Sequence, residues 1–268
     1  MARVVSATNV VSDALVDGCW AAATSPGAAT TPAELAALGV ARMTISRLTT
    51  AGGALREAAG WSLETPRALD AEDWWFGARL PGGAVSSGER VTLRLGGLGG
   101  LAELWIDGEP IGASTNGFLP LDVDVTARAR AGAELTIRCA SLGAAMKLRH
   151  PRPRWRTRLV DRQELRFHRQ PFLGRMHGWT PPCPVIGPYG GAAIERARGL
   201  FVRSARARAS LEGGDGVVRL ELDLDAFGAP LEAVVARLGE VEAALAIDGE
   251  RASGVVRVVS PPRWWPHT

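Results

Sequence analysis

Residues 90–126 read RVTLRLGGLGGLAELWIDGEPIGASTNGFLPLDVDVT, and the reading of this stretch decides the fold. Val91, Leu93 and Leu95 alternate with Thr92 and Arg94, the two-residue period of a half-buried strand. Glycines at 96, 97, 99 and 100 interrupt the run. Leu101, Glu103 and Trp105 then alternate with Ala102, Leu104 and Ile106, a second strand that stops at Asp107-Gly108. An Asp-Gly pair between apolar strands predicts a tight hairpin, because the turn needs positive φ and these residues adopt it at least cost. Ile111 resumes the apolar pattern, and Leu121, Val123 and Val125 alternate with Asp122, Asp124 and Thr126. The block is expected to be antiparallel β forming one face of a sandwich. Gly96-Gly97-Leu98-Gly99-Gly100 lies between strands rather than before a helix, so it reads as a turn and not as a phosphate loop.

Outward from this block the signals remain mostly those of strands. Residues 61–81 are predicted as strand, loop, strand, and Asp73-Trp74-Trp75-Phe76 sets two large rings on opposite faces, one in the core and one against a neighbouring loop. ELTIRCA at 134–140 is another strand with Leu135, Ile137 and Cys139 on one face. Nearer the start, Thr31, Pro32 and Glu34 have the order of a helix cap and first turn, with Gly39 as the stop. Residues 40–60 read as surface loop with one helical turn at 54–59. From residue 199 a smaller β domain follows. Its strands are expected at 201–210, 217–224, 234–238, 241–247 and 255–259, with turns at Glu212-Gly-Gly-Asp-Gly and Asp248-Gly249. This spacing suits an immunoglobulin-like sandwich.

Composition narrows the function classes. Three cysteines, Cys19, Cys139 and Cys183, are an odd, widely spaced set that argues against a disulfide framework or a zinc site and fits a reducing, cytoplasmic compartment. No apolar run is long enough to span a membrane, and Asn9, Asp13 and Asp17 interrupt the N-terminal stretch where a signal peptide would need an apolar core. Residues 147–175 hold ten Lys or Arg against Asp161 and Glu164, in a chain whose net charge is +3. With Trp155, Phe167 and His168 this tract has the ingredients to meet nucleic-acid phosphates, but no nucleic-acid module accompanies it. Pro151 and Pro153 predict an extended arm, with arginines paired to carboxylates of another domain. Nine tryptophans against one tyrosine supply rings either for sandwich cores or for stacking on sugars, and Trp74, Trp75 and Trp155 are the candidates for stacking or for an interface.

The motifs, taken in order, resemble the N-terminal region of family 2 glycoside hydrolases, with the β-mannosidase-like branch the best fit. Asp73-Trp74-Trp75-Phe76, AELWIDGEPIG with Asn116 and LDVDVT resemble the family's jelly-roll domain. Gly174-Arg175 through Gly178-Trp179 and Gly187-Pro188 resemble that domain's closing segment, and Pro261-Pro262-Arg263-Trp264-Trp265-Pro266 resembles the end of the immunoglobulin-like domain that follows. The resemblance implies an all-β protein. It has a galactose-binding-like jelly-roll over residues 1–198 and a smaller immunoglobulin-like sandwich over 199–268, with a catalytic barrel next in the family that these residues do not include.

Retaining glycosidases need two carboxyl groups across the scissile bond, and in this family both are glutamates of the barrel. No catalytic residue is therefore assigned here. His150, His168, His177 and His267 lack metal-ligand spacing, no cofactor motif is present, and Asp122 and Asp124 read as solvated face residues rather than cation ligands. The resemblance carries one functional position: β-mannosidases lend a Gly-Trp-Asp-Trp loop to the active-site rim. The matching residues here are Gly178-Trp179-Thr180-Pro181, so Trp179 and Thr180 are the rim candidates, and Thr180 in place of Asp argues against mannoside specificity. The expected function is a non-catalytic N-terminal part of a β-mannosidase-like glycoside hydrolase. Its expected partner is a β-glycoside, with no nucleic acid or membrane partner, and the sequence leaves the oligomeric state open. The alternatives are a free-standing carbohydrate-binding or scaffold β-sandwich and, third, a nucleic-acid binder that uses the basic arm.

Overall fold

The structure is a computed structural model that describes residues 10–65, 67–83, 85–149, 151, 156–176, 178, 180–227 and 231–263. In chain order its elements are β1 (Val10–Ala14), β2 (Trp20–Thr24), α1 (Pro32–Leu38), β3 (Met43–Thr44), α2 (Ala51–Ala59), β4 (Asp73–Arg79), β5 (Glu89–Leu95), β6 (Leu98–Gly99), β7 (Leu101–Ile106), β8 (Glu109–Ser114), β9 (Leu121–Asp124), β10 (Glu134–Ala140) and α3 (Leu142–Ala145). They continue with β11 (Gly187–Pro188), β12 (Ala192–Arg198), β13 (Leu200–Glu212), β14 (Asp215–Ala226), β15 (Val234–Leu238), β16 (Val241–Asp248) and β17 (Arg251–Val258). Two compact units result. One comprises Ser12–Val85 with Val91–Glu195, the other Met1–Val11, Ser86–Arg90 and Arg196–Thr268.

The first unit is a sandwich of a six-stranded sheet, order β3-β2-β4-β10-β7-β8, and a four-stranded sheet, order β1-β12-β5-β9. Its core follows from the alternation of the strands. Trp74, Phe76 and Ala78 of β4, Leu135, Ile137 and Cys139 of β10, and Val91, Leu93 and Leu95 of β5 all lie in one cluster with no exposed surface. The opposite face of the large sheet has its own apolar layer. There Trp20, Ala22, Trp75 and Trp105 pack with Ala29 and with Leu35 of α1, and the rings of Trp75 and Trp105 stack at 6.0 Å. Helix α1 begins where the sequence places it: Thr31 accepts a hydrogen bond from the Glu34 N–H, and Gly39 closes the helix at φ 60°.

Three expectations are corrected. Residues 90–126 do not form one face, since β5 and β9 belong to the small sheet while β7 and β8 belong to the large one. The glycine-rich stretch carries the chain from one sheet to the other, and its residues approach neighbouring backbone and rings too closely for a side chain. A Cβ on Gly96 would sit 2.3 Å from the carbonyl oxygen of Gly190, and one on Gly97 would meet the ring of Tyr189. Residues 40–60 are not surface loop. Thr50 caps a nine-residue helix, α2, that buries Ala51, Ala54 and Leu55 against the core and ends at Gly60. The described residues of 61–72 hold no strand. They run through a turn fixed by Trp61 Nε1–H donating to the Thr65 carbonyl, then a single 3-10 turn at Leu69–Ala71.

The basic tract is corrected as well. Its described part is no arm but is packed on the sandwich: Gln163–Phe167 forms a 3-10 turn, and Leu165 is buried with Leu142 and Met146. Gln170 is 1% exposed. Its side-chain amide accepts from the Gly100 N–H and donates to the carbonyls of Gly100 and Thr115, so it stands in for a strand neighbour beside β7.

In the second unit five strands pair in the order β13-β14-β17-β16-β15. Strand β16 changes partner along its length, pairing with β15 from Val241 to Leu245 and with β17 from Ala246 to Asp248. The sheet thereby folds over itself, so that the Leu245 side chain fills the place where a Cβ on Gly254 would stand. Leu200, Leu224, Val234, Leu245 and Ala252 form the enclosed core. Arg90 pairs with Asp225 and lies over the rings of Phe201 and Phe227, and Glu89 meets Arg196 and Arg198. The described chain is thus nearly all β, a two-sheet sandwich in the first unit and a five-stranded sheet in the second.

Candidate functional site

The polar groups of the sandwich gather around the segment 171–183. Its base is Arg175, whose side chain is only 5% exposed. Nε and Nη2 donate to the two carboxylate oxygens of Asp70 at 2.7 Å each, and Nη1 donates to the Pro171 carbonyl at 2.7 Å. This planar two-point pairing is what guanidinium supplies and an ammonium does not. The Asp70 carbonyl accepts from Ser141 Oγ, and the Ser141 N–H donates to Asp73, which is itself paired with Arg138. The segment is therefore tied through four residues to the inner strands of the large sheet.

Gly174 sits at φ 76°, and a Cβ there would fall 2.1 Å from the Cys183 carbonyl oxygen, so only glycine fits. Its N–H donates to Thr180 Oγ1 at 2.7 Å, closing a loop over residues 174–180. Thr180 is thus placed at the loop's base with its oxygen turned inward. Trp179, the other rim candidate, and Trp155 lie outside the described residues. So do His150, His177 and the Trp264-Trp265-Pro266 run.

Trp74 and Trp75 do not serve as sugar-stacking or interface residues. Both are fully buried, Trp74 in the core between the sheets and Trp75 beneath α1, so neither has a free ring face. The alternation of strand β4 placed the rings on opposite faces as expected, but both faces are covered. Asp122 lies 3.8 Å from Arg94, and Asp124 accepts from the Thr126 N–H and hydroxyl, so both carboxylates are engaged at the surface.

Two cavities flank the segment. One of about 200 Å³ is lined by Arg67, Asp70, Met146, Val160, Arg175 and Pro182 among others. The other, about 260 Å³, is apolar and lined by Leu159, Val160, Leu165, Arg166, Phe172 and Met176 with Thr157 and Gln163. Asp70 is held by Arg175 on both oxygens, which makes it the structural anchor of the segment. Sequence reading missed Asp70 and Gln170. The signal available was weak: Asp70 precedes the Asp73 motif by three residues, and Gln170 sits inside a run that charge alone made conspicuous.

Cys19, Cys139 and Cys183 form no disulfide with one another. Complete burial raises the Cys139 pKa to about 12, opposed by a backbone hydrogen bond from Gly187. Burial also raises those of Cys19 and Cys183. In the second unit a polar surface cluster is internally paired: Arg203 with Glu250 at 2.7 Å, Asp223 with Ser204 and Arg251. The Ser204 hydroxyl holds the Asp223 carboxyl below its usual range.

Fold and site together define a β-sandwich module with a filled core, a peripheral segment anchored by Arg175 on Asp70, and no interior pocket among these cavities. The chain belongs to the glycosyl hydrolase 2 galactose-binding domain-like family, whose model matches residues 50–190. Its fold resembles that of the β-D-mannosidase from Dictyoglomus thermophilum over 96% of this chain and 32% of that one, with a TM-score of 0.67 and 13% identity. It also resembles the β-glucuronidase from Ruminococcus gnavus, over 98% of this chain and 40% of that one (TM-score 0.56, 16% identity). A β-glucuronidase of an uncultured Clostridium sp. is similar over 99% of this chain and 42% of that one, with a TM-score of 0.56 and 15% identity. The chain thus spans about a third to two fifths of the length of these structures. No curated protein matches by sequence. No helix among the described residues is long and apolar enough to cross a membrane.

Proposed function

We propose that this chain is the non-catalytic N-terminal part of a β-mannosidase-like glycoside hydrolase. In this reading the jelly-roll domain (1–198) and the immunoglobulin-like domain (199–268) support and rim the active site of a barrel lying outside these residues. The observation that carries it is the loop 174–180, fixed at its base by Arg175 on Asp70 and closed by Gly174 on Thr180. The base of a rim must hold its shape against a sugar, and Gly174, Arg175 and Thr180 are tied down as such a base requires. The partner is a β-glycoside, no nucleic acid is required, and three cysteines outside any disulfide suit a cytoplasmic setting.

The substrate reading follows from Thr180. A carboxylate accepting sugar hydroxyls forms charge-assisted hydrogen bonds worth about 1.5–3 kcal/mol each. Thr180 has a shorter reach and already accepts from Gly174. Since about 1.4 kcal/mol is tenfold in rate, loss of one such bond in the transition state costs about ten- to a hundredfold in mannoside turnover. The test joins this chain to a related barrel and measures kcat/KM on aryl β-mannoside, β-galactoside and β-glucuronide. Mannoside should be a poor substrate that Thr180→Asp improves, and Trp179→Ala should lower activity on all three. Efficient mannoside hydrolysis indifferent to both substitutions would remove this loop from the site.

A further inference from the structure

The apolar cavity beside Phe172 and Met176 has walls that are set before anything enters it, and Gln163 is their hub. Its side-chain oxygen accepts from the Thr157 N–H at 3.0 Å and from Arg166 Nη2 at 2.7 Å. Its side-chain nitrogen donates to the carbonyls of Thr157 and Val160 at 2.8 and 3.2 Å. Arg166 Nε donates to the Gln163 carbonyl, and Thr157 Oγ1 accepts from the Leu159 N–H. The polar side chains of the lining are thus spent on one another and on the backbone. What remains to meet an occupant is apolar: Leu159, Val160, Leu165, Phe172 and Met176. Val160 and Met176 are joined by an antiparallel bridge, and Arg175, next to Met176, is fixed on Asp70. Leu165 is buried while Leu159 and Phe172 are half exposed, which leaves an entrance on their side.

We infer that this cavity takes the aryl aglycone of a β-glycoside, while the sugar lies outside it. The inference rests on the reading that loop 174–180 rims the sugar, and it narrows that reading to glycosides with an apolar aglycone. Two observations set the chemistry of the occupant. A pyranose enclosed here would leave its hydroxyls without partners, because the polar side chains of the lining are already engaged, and each stranded hydroxyl is costly. The second observation is size. An apolar cavity of about 150 Å³ holds one benzene ring, so this one, at about 260 Å³, has room for a naphthyl group. It also falls below the roughly 300–1,000 Å³ of sites that enclose a drug-sized ligand, which suits one group of a larger molecule. Met176 links the cavity to the sugar: it lines the cavity and belongs to the loop that the Gly174 N–H closes on Thr180. A group seated here therefore rests against the loop that meets the sugar.

The test is saturation-transfer NMR on the 268-residue chain with 2-naphthyl β-D-galactoside, and with methyl β-D-galactoside as the control. Saturation should reach the naphthyl protons in preference to those of the pyranose, the methyl glycoside should receive none, and free 2-naphthol should compete. Leu159→Asp and Phe172→Ser should each weaken binding about tenfold, the scale of a lost apolar contact in a pocket. Both positions are half exposed, and unchanged thermal melts would establish that the variants fold. Leu211→Asp, at an exposed apolar position of the second unit, should change nothing. In the fusion to a related barrel, Leu159→Asp should raise KM for the naphthyl glycoside and leave that for the methyl glycoside as it was. Absence of naphthyl saturation, saturation centred on the sugar, or binding indifferent to both cavity variants would overturn the inference. So would naphthyl binding to the chain with a KM indifferent to Leu159→Asp in the fusion. The rim reading is decided separately, by the response of the fusion to the Thr180 and Trp179 variants.

Discussion

Four donors converge on Asp73. The N–H groups of Gly27 and Ser141 and two nitrogens of Arg138 all reach its carboxylate at 2.7–3.2 Å, and the residue is 1% exposed. Arg138 is itself 11% exposed and shares its third nitrogen with Glu103. A buried pair contributes little over an apolar replacement, but breaking one half strands the other. Asp73→Asn should therefore lose about 3–5 kcal/mol in urea unfolding, and combining it with Arg138→Met should recover much of that loss. Cys139 gives a second prediction. Its pKa is raised to about 12 in the folded state by burial. The folded chain therefore keeps a proton that the unfolded chain sheds above the ordinary thiol value of 9.0, so its contribution is whole below pH 9 and declines as pH rises towards 12. The expected slope is about 1.4 kcal/mol per pH unit, absent in Cys139→Ala. A thiol-reactive dye at pH 8 should label the half-buried Cys183 first and Cys139 only on unfolding.

Among the elements, legibility tracked how local the deciding interaction is. The hairpin at Asp107-Gly108 was readable because the turn itself demands positive φ, and the two residues adopt 49° and 83°. Thr31 and Gly39 marked α1 for the same reason. Helix α2 was hidden by Gly52 and Gly53, poor helix formers whose lack of a side chain serves packing: a Cβ on Gly52 would meet Cys183 Sγ at 2.5 Å. The segment around Arg175 was half legible. Gly174 and Arg175 stood out in the sequence, but the partner of Arg175 is 105 residues away, and no local pattern announces such a pairing. Which sheet receives β5 and which receives β7 was likewise a matter of distant pairings. Gly77 illustrates packing that only structure reveals: a Cβ there would lie 2.2 Å from the Trp20 ring. Gly77→Ala should displace that ring, costing about 1–3 kcal/mol of overpacking, seen as a lower Tm and red-shifted tryptophan emission.

For the molecule as a whole, the expectation is that the isolated chain hydrolyses no aryl glycoside. Incubation with mannoside, galactoside and glucuronide should match the buffer blank, and turnover that survives repurification would reveal a site in these residues. Packing of the basic tract also sets a cleavage order. Trypsin should cut after the exposed Lys147, Arg149, Arg156 and Arg158 well before Arg175, whose side chain is buried on Asp70. Early cleavage at Arg175 would show the anchor to be open.

The strand order of the sandwich has a consequence for its synthesis. Every strand of the six-stranded sheet lies within residues 20–140, but the four-stranded sheet needs β12, which ends at Arg198. At about 5–20 residues per second, several seconds separate completion of the first sheet from arrival of the last strand of the second. During that interval Val91, Leu93 and Leu95 of β5 lack the neighbour that later lies between β5 and β1. Ribosome-bound chains that expose residue 140 but not residue 192 outside the exit tunnel should therefore bind a chaperone that releases them once residue 198 has cleared it.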